Sequence, residues 1–168
     1  HRSILSIWRR FDLKIKTTRF GEIDVPKECI IKFEQGMLGF TQQKKFALFP
    51  YDKDGPFSIL QAVSNPDLSF LLADPYRFFT EYEFELDDKL AATMEFAADN
   101  PPGVYVVATL KDKLEDMTVN LVAPIVVSWK KQLAVQIIVD NKAYSIKQPL
   151  FPDGLKLKDS PADAGQGG

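Results

Sequence analysis

The feature that most constrains this chain is the rhythm of its turn signals. From Leu13 onward apolar side chains recur at every second position. Clusters of Gly, Pro, Asn and Asp interrupt them at intervals of roughly eight to twelve residues, the pattern of short strands joined by tight turns. Leu13, Ile15 and Thr17 alternate with Lys14 and Lys16, Phe20 and Gly21 turn the chain, and residues 22–25 (EIDV) return as a hairpin that Pro26 ends. Further strands are expected at residues 30–33, 46–49, 57–63, 68–73, 104–110, 118–122, 125–129, 133–139 and 144–147, with Asp140 and Asn141 as the last hairpin turn.

One helix is expected within this pattern. Asp87 and Asp88 suit a first turn, where carboxylates meet unpaired N–H groups and the positive end of the dipole. Leu90, Met94 and the Ala97–Ala98 pair then recur at helical spacing, and residues 100–103 (NPPG) stop the run. The reading is a one-sided surface helix over residues 87–98. Fold class follows: mostly β, a single-domain, antiparallel, β-barrel-like fold with one short surface helix, closed or nearly closed so that few strand edges stay open. The domain is expected to span residues 13–152. Residues 1–12 read as an extension outside it, with a small amphipathic anchor as the alternative, since the apolar stretch from Ile4 to Trp8 is too short for a signal-peptide core. Residues 153–168, ending in SPADAGQGG, read as a flexible tail.

Composition narrows the chemistry. The only histidine is His1 and the only cysteine is Cys29 in 168 residues. Imidazole is the side chain that titrates near neutral pH, so the usual general base, metal shell or activated nucleophile is hard to assemble here. Recognition is expected rather than reaction: no enzyme, no cofactor, no metal. One cysteine excludes an internal disulfide and suits a reducing compartment. A net charge of −2 argues against a dedicated nucleic-acid binder, and no apolar run approaches the roughly 20 residues that span a bilayer. Thirteen phenylalanines suggest a core filled by rings.

Three motifs read as structural. Gly36 and Gly39 in FEQGMLGF (residues 33–40) permit positive φ in a tight loop that Phe33 and Phe40 anchor; no Lys-Ser/Thr pair or following helix completes a P-loop. Asp74 before Pro75 is chiefly a turn device. Asn120, among apolar neighbours, must find hydrogen-bond partners, and it reads as tying a strand to a loop, with Pro124 marking a break or bulge.

Residues 80–88 (TEYEFELDD) point outward from structure to function. If the segment is extended, Glu81, Glu83 and Glu85 project to one side and Tyr82, Phe84 and Leu86 inward. With Asp87 and Asp88 they make five carboxylates in eight residues, a negative patch that attracts a basic protein and repels RNA or DNA. A merely solvated face is the competing reading. The candidate partner-binding residues are therefore Asp74, Tyr76, Phe79, Glu81, Glu83, Glu85, Asp87 and Asp88, chosen by charge and exposure.

Six segments in order resemble the flagellar assembly factor FliW family of bacteria: FEQGMLGF (33–40), KKFALFPY (44–51), PFSILQAV (56–63), FLLADP (70–75), VNLVAPIVV (119–127) and QIIVDNKAYSIKQPL (136–150). They run from about Ile15 to Leu150, and the segment through Asp12 lies outside the family pattern. The resemblance implies a compact, cytoplasmic, non-catalytic β-barrel-like protein, monomeric when free, that binds two protein partners in turn. One is flagellin, whose amphipathic terminal helices suggest a helix-in-groove mode. The other is CsrA, a small dimeric RNA-binding repressor of flagellin mRNA translation, with no direct nucleic-acid contact expected. A small-ligand carrier or a single-stranded nucleic-acid-binding barrel is the competing class; it would need an apolar lumen or a basic aromatic groove.

Overall fold

In the computed structural model the described residues are 13–154. The expected N-terminal extension, residues 1–12, and residues 155–168 of the expected tail lie outside them. Among the described residues there are eleven strands and one α-helix: β1 (Leu13–Thr17), β2 (Gly21–Val25), β3 (Ile30–Phe33), β4 (Lys45–Pro50), β5 (Phe57–Ala62), β6 (Ser69–Ala73), α1 (Asp88–Met94), β7 (Gly103–Thr109), β8 (Thr118–Val119), β9 (Ile125–Ser128), β10 (Leu133–Gln136) and β11 (Gln148–Pro149).

Seven of the strands close into a barrel in the order β3-β4-β5-β6-β7-β9-β10 and back to β3. All pairings are antiparallel except β3 with β10, where Lys32 lies opposite Leu133. Closure depends on β7, which pairs with β6 along one edge and divides its other edge between two strands. Gly103–Tyr105 face β9, and Ala108 and Thr109 face β8. Between those two strands the chain bulges away over residues 120–124. The Asn120 carboxamide oxygen accepts from Val122 N–H at 3.0 Å and Ala123 N–H at 3.2 Å, while its own N–H donates to Val107 O. The expected role of Asn120, and of the buried Pro124 at the end of the bulge, is thus found. The expected strand over 118–122 is cut to two residues by that bulge.

Period-two alternation sends one set of side chains into the lumen. Ile31, Phe33, Phe46, Leu48, Leu60, Leu72, Ile125 and Val127 are all at most 2% exposed and pack as one cluster inside the barrel. Burying each such side chain contributes about 1.5–3 kcal/mol. Met37, 1% exposed, joins this core from the loop 36–40. That loop is the tight turn expected: Phe40 N–H donates to Met37 O at 2.8 Å, with Gly36 at φ 71° and Gly39 at φ 86°. Phe40 itself is 42% exposed and anchors the loop through an edge contact with Phe70, 5.4 Å between ring centres.

The outer wall is covered in sectors. Hairpin β1–β2 lays Ile15 and Val25 over Ala47. Thr18 ties the hairpin to the β5–β6 loop, its N–H donating to Pro66 O at 2.9 Å and its hydroxyl to the Asp67 carboxylate. Beneath that loop the fully buried Gln61 directs its amide nitrogen at the carbonyls of Ala62, Asn65, Pro66 and Leu68, 3.1–3.3 Å away. Across β6, β7 and β8 lies a second apolar layer. Tyr82, Met117, Leu121 and Leu150 are buried there, with Phe57, Phe78, Phe79 and Phe84 half-buried around them.

Helix α1 is shorter than residues 87–98. Asp87 caps its start, the carboxylate accepting from Lys89 N–H at 3.0 Å. Glu95 turns left-handed at φ 58°, and the Asn100 carboxamide donates to Met94 O and Glu95 O. Ser128, wholly buried in β9, also donates to Met94 O, at 2.7 Å. Hydrogen bonds from Lys131 and then Lys130 hold the Glu95 carboxyl below its ordinary value. Tertiary capping therefore ends the helix before the alanines that suggested its continuation. Two strands also end differently. β10 stops at Gln136, although Ile137 and Val139 N–H still donate to Pro124 O and Val122 O. Residues 144–147 form no strand; the final pairing shifts to Gln148–Pro149, opposite Val119 and Thr118.

The loop 36–40 gives a paired test. A Cβ on Gly36 would lie 2.5 Å from the Thr41 Cα, whereas one on Gly39 meets nothing within 4 Å. Gly39→Ala should cost about 1–2 kcal/mol from left-handed strain alone. Gly36→Ala should cost more, because overpacking adds about 1–3 kcal/mol. Urea denaturation of both variants checks this, and equal midpoints would contradict it.

Candidate functional site

The acidic segment is an outer strap. After β6 the Asp74 carboxylate accepts from Tyr76 N–H at 3.0 Å and caps a single 3₁₀ turn at Pro75–Arg77, the turn role its place before proline suggested. The chain then crosses the outer aromatic layer and runs through residues 82–87 without joining the sheet or forming a helix. Side chains alternate as expected. Glu81, Glu83 and Glu85 are exposed, Tyr82 is buried, and Phe84 and Leu86 are half-buried.

Two tyrosine hydroxyls fasten the strap. Tyr82 donates to Leu121 O at 2.7 Å, at the bulge of residues 120–124. The Tyr144 hydroxyl accepts from Glu83 N–H at 3.0 Å and donates to Glu83 O at 3.1 Å, standing in for a strand partner. The two rings pack edge to face at 4.9 Å, and Tyr76 and Phe84 lie 5.9 and 5.5 Å from Tyr82. Burial, with smaller contributions from Tyr76 and Tyr144, pushes the Tyr82 phenol well above its ordinary value.

Beyond this clamp a groove of about 500 Å³ opens between the strap and residues 138–141. Glu83, Glu85 and Asp140 supply carboxylates, while Phe84, Ile138 and Val139 supply apolar lining. Ile138 is 66% exposed, the most exposed large apolar side chain among the described residues. None of Glu81, Glu83, Glu85, Asp88 or Asp140 makes an ion pair among the described residues, where the bridges are Lys14–Asp24 and the Lys130 and Lys131 contacts to Glu95. Negative charge here is not neutralised by any described residue.

Not every candidate is free for that use. Phe79 is half-buried in the outer aromatic layer, 6.4 Å from Phe78, and serves packing first. Asp87 and Asp74 spend a carboxylate oxygen on their caps. Tyr76 remains 41% exposed beside the strap, and Asp88 is exposed in the first turn of α1. Ile138, Asp140 and Tyr144 belong to the site although the sequence placed them in or beside strands. Ile138 in the QIIVD run carried one usable signal: it is the middle of three consecutive apolar residues, which alternation cannot all bury on one face. Among the described residues no group of three or more His, Cys, Asp or Glu side chains could hold a metal ion, and no helix is long and apolar enough to cross a membrane.

A small closed barrel, filled by its own side chains and carrying a charged groove on its outer wall, defines the class. The family model described as FliW protein matches residues 14–150. The flagellar assembly factor FliW of Desulfitobacterium hafniense (strain DSM 10664 / DCB-2) is 48% identical over 141 residues, 84% of this chain and 93% of that one. The protein of the same name from Geobacillus kaustophilus (strain HTA426) is 40% identical over 141 residues, 84% and 97% of the two chains. A crystal structure of the flagellar assembly factor FliW superposes with a TM-score of 0.75 at 38% identity, covering 83% of this chain and 98% of that one. The chain belongs to the FliW family of flagellar assembly factors.

The two tyrosines separate structure from exposure. Tyr82→Phe leaves Leu121 O buried without its donor and should cost about 1–3 kcal/mol, whereas Tyr144→Phe, at an exposed clamp, should cost less. Because the folded state holds the Tyr82 proton more tightly than the unfolded chain, its stabilising contribution is complete below the ordinary tyrosine value of about 10 and is lost as pH rises above it. Denaturation midpoints between pH 8 and pH 11 should fall more steeply for the parent than for Tyr82→Phe; parallel curves would contradict the assignment.

Proposed function

We propose that this protein is a non-catalytic, cytoplasmic partner-switching factor in flagellar assembly. It binds flagellin, and when free it binds and antagonises the translational repressor CsrA, relieving repression of flagellin mRNA. The single observation that carries the reading is the strap: Glu81, Glu83 and Glu85 exposed on one side, without an ion pair among the described residues, at a groove lined by both carboxylates and apolar side chains. CsrA, an RNA-binding protein, presents the basic chemistry such a surface attracts, and the same carboxylates repel RNA phosphate. Family membership supports the flagellar context.

The switch needs only mass action. Two partners that exclude each other on one protein compete by concentration and affinity, so export of flagellin frees the protein for CsrA.

Reversing Glu81, Glu83 and Glu85 to Lys should lower CsrA affinity at least tenfold at low ionic strength, and the remaining affinity should depend less on salt. Calorimetry or pull-down with purified CsrA, competed by purified flagellin, measures both. Unchanged capture by the reversed variant at low salt would reject the patch.

A further inference from the structure

The strap is fastened at Glu83, but its backbone beyond that point has no hydrogen-bond partner. Among the described residues, no N–H or C=O of Phe84, Glu85 or Leu86 makes a hydrogen bond. On the opposite wall of the groove the backbone groups of Ile138 and Asp140 are likewise unpaired, although Ile137 and Val139 are bonded to the bulge. Extended backbone with open N–H and C=O groups is a template for another strand. The barrel has no open edge, and the outermost strand of its sheet, β11, is two residues long and ends in Pro149; the other open edges belong to the hairpin β1–β2, where Lys14 and Lys16 flank the apolar positions.

We propose that residues 84–86 are a receptor edge to which an extended segment of a partner protein, carrying Lys or Arg at alternate positions, adds as a β-strand within the groove. This rests on the partner-binding reading of the same segment and specifies the conformation of what docks. Main-chain bonds to residues 84–86 supply affinity, and side chains at alternate positions supply specificity. Cationic side chains of such a strand meet Glu83, Glu85 and Asp140, and the intervening apolar ones meet Phe84 and Ile138. Charge complementarity selects the occupant, since three groove residues are carboxylates and no Lys or Arg lines it. An α-helix satisfies its own backbone groups and leaves these open.

The test uses the full chain and four synthetic peptides of equal charge: alternating Lys-Val (Lys-Val-Lys-Val-Lys-Val, blocked at both ends), the same peptide N-methylated at alternate amides in each of the two registers, and an amphipathic helical peptide of Lys and Leu. The alternating peptide should bind best, lose at least tenfold on N-methylation in one of the two registers, and lose at least fivefold when Glu83 and Glu85 are replaced by Gln. Its binding should slow amide exchange at residues 84–86. The inference is overturned if the helical peptide binds as well or better. It is also overturned if neither N-methylated register weakens binding, or if the amides of 84–86 are already protected in the free full chain. Capture of CsrA or flagellin is measured separately. If either is captured while residues 84–86 stay unprotected in the complex, strand addition fails and partner switching stands. If the peptide binds as stated and neither protein is captured, partner switching fails and the receptor edge stands.

Discussion

The divided edge of β7 is the constraint on which the rest of the structure depends. By pairing with β9 through its first residues and β8 through its last, it closes the barrel and simultaneously holds a strand outside it. The division requires the chain to leave β7 and return, and Asn120 makes that detour by supplying its own acceptor to two N–H groups of the bulge. The bulge then offers outward carbonyls to what lies above it: Leu121 O receives Tyr82, and Val122 O and Pro124 O receive the segment after β10. Both walls of the acidic groove are thus referred to the same five residues of the barrel.

That arrangement separates two jobs which compete in a small protein. The lumen is lined by buried apolar side chains, so it carries stability. Recognition is placed on an outer layer held by aromatic contacts and two phenol hydroxyls. Such a layer can present open backbone and unpaired carboxylates because the closed ring beneath does not rely on it for its hydrogen bonds.

Local patterning made much of this legible. Strict alternation at Leu13–Thr17 and a short apolar run bounded by turn residues at Phe57–Ala62 placed those strands, and the outward glutamates of the strap followed from period two. Asn120 and the Gly36/Gly39 turn were legible because their requirements are local: a donor to satisfy, a positive φ to permit. What sequence did not disclose depended on distant residues. Helix α1 ends where Ser128 and Asn100 meet Met94, residues 34 and 6 positions away. Residues 133–139 look like one strand, yet β9 ends its pairing with them at Gln136, and the remainder becomes a groove wall. Tyr144 reaches Glu83 across 61 residues, a contact that no periodicity announces.

Gln61 extends the same logic of borrowed order to the loop between β5 and β6. Its nitrogen sits among four carbonyls and its oxygen has no partner among the described residues, so the surrounding backbone fixes which end of the carboxamide points where. Neither a carboxylate nor a shorter amide could occupy the position on the same terms. The loop over residues 63–67 therefore takes its shape from a side chain rooted in the wall rather than from turn chemistry alone. Thr18, bound to Pro66 and Asp67, passes that inherited rigidity on to the first hairpin, which gains a fixed seat without a single hydrogen bond between its strands and the ring.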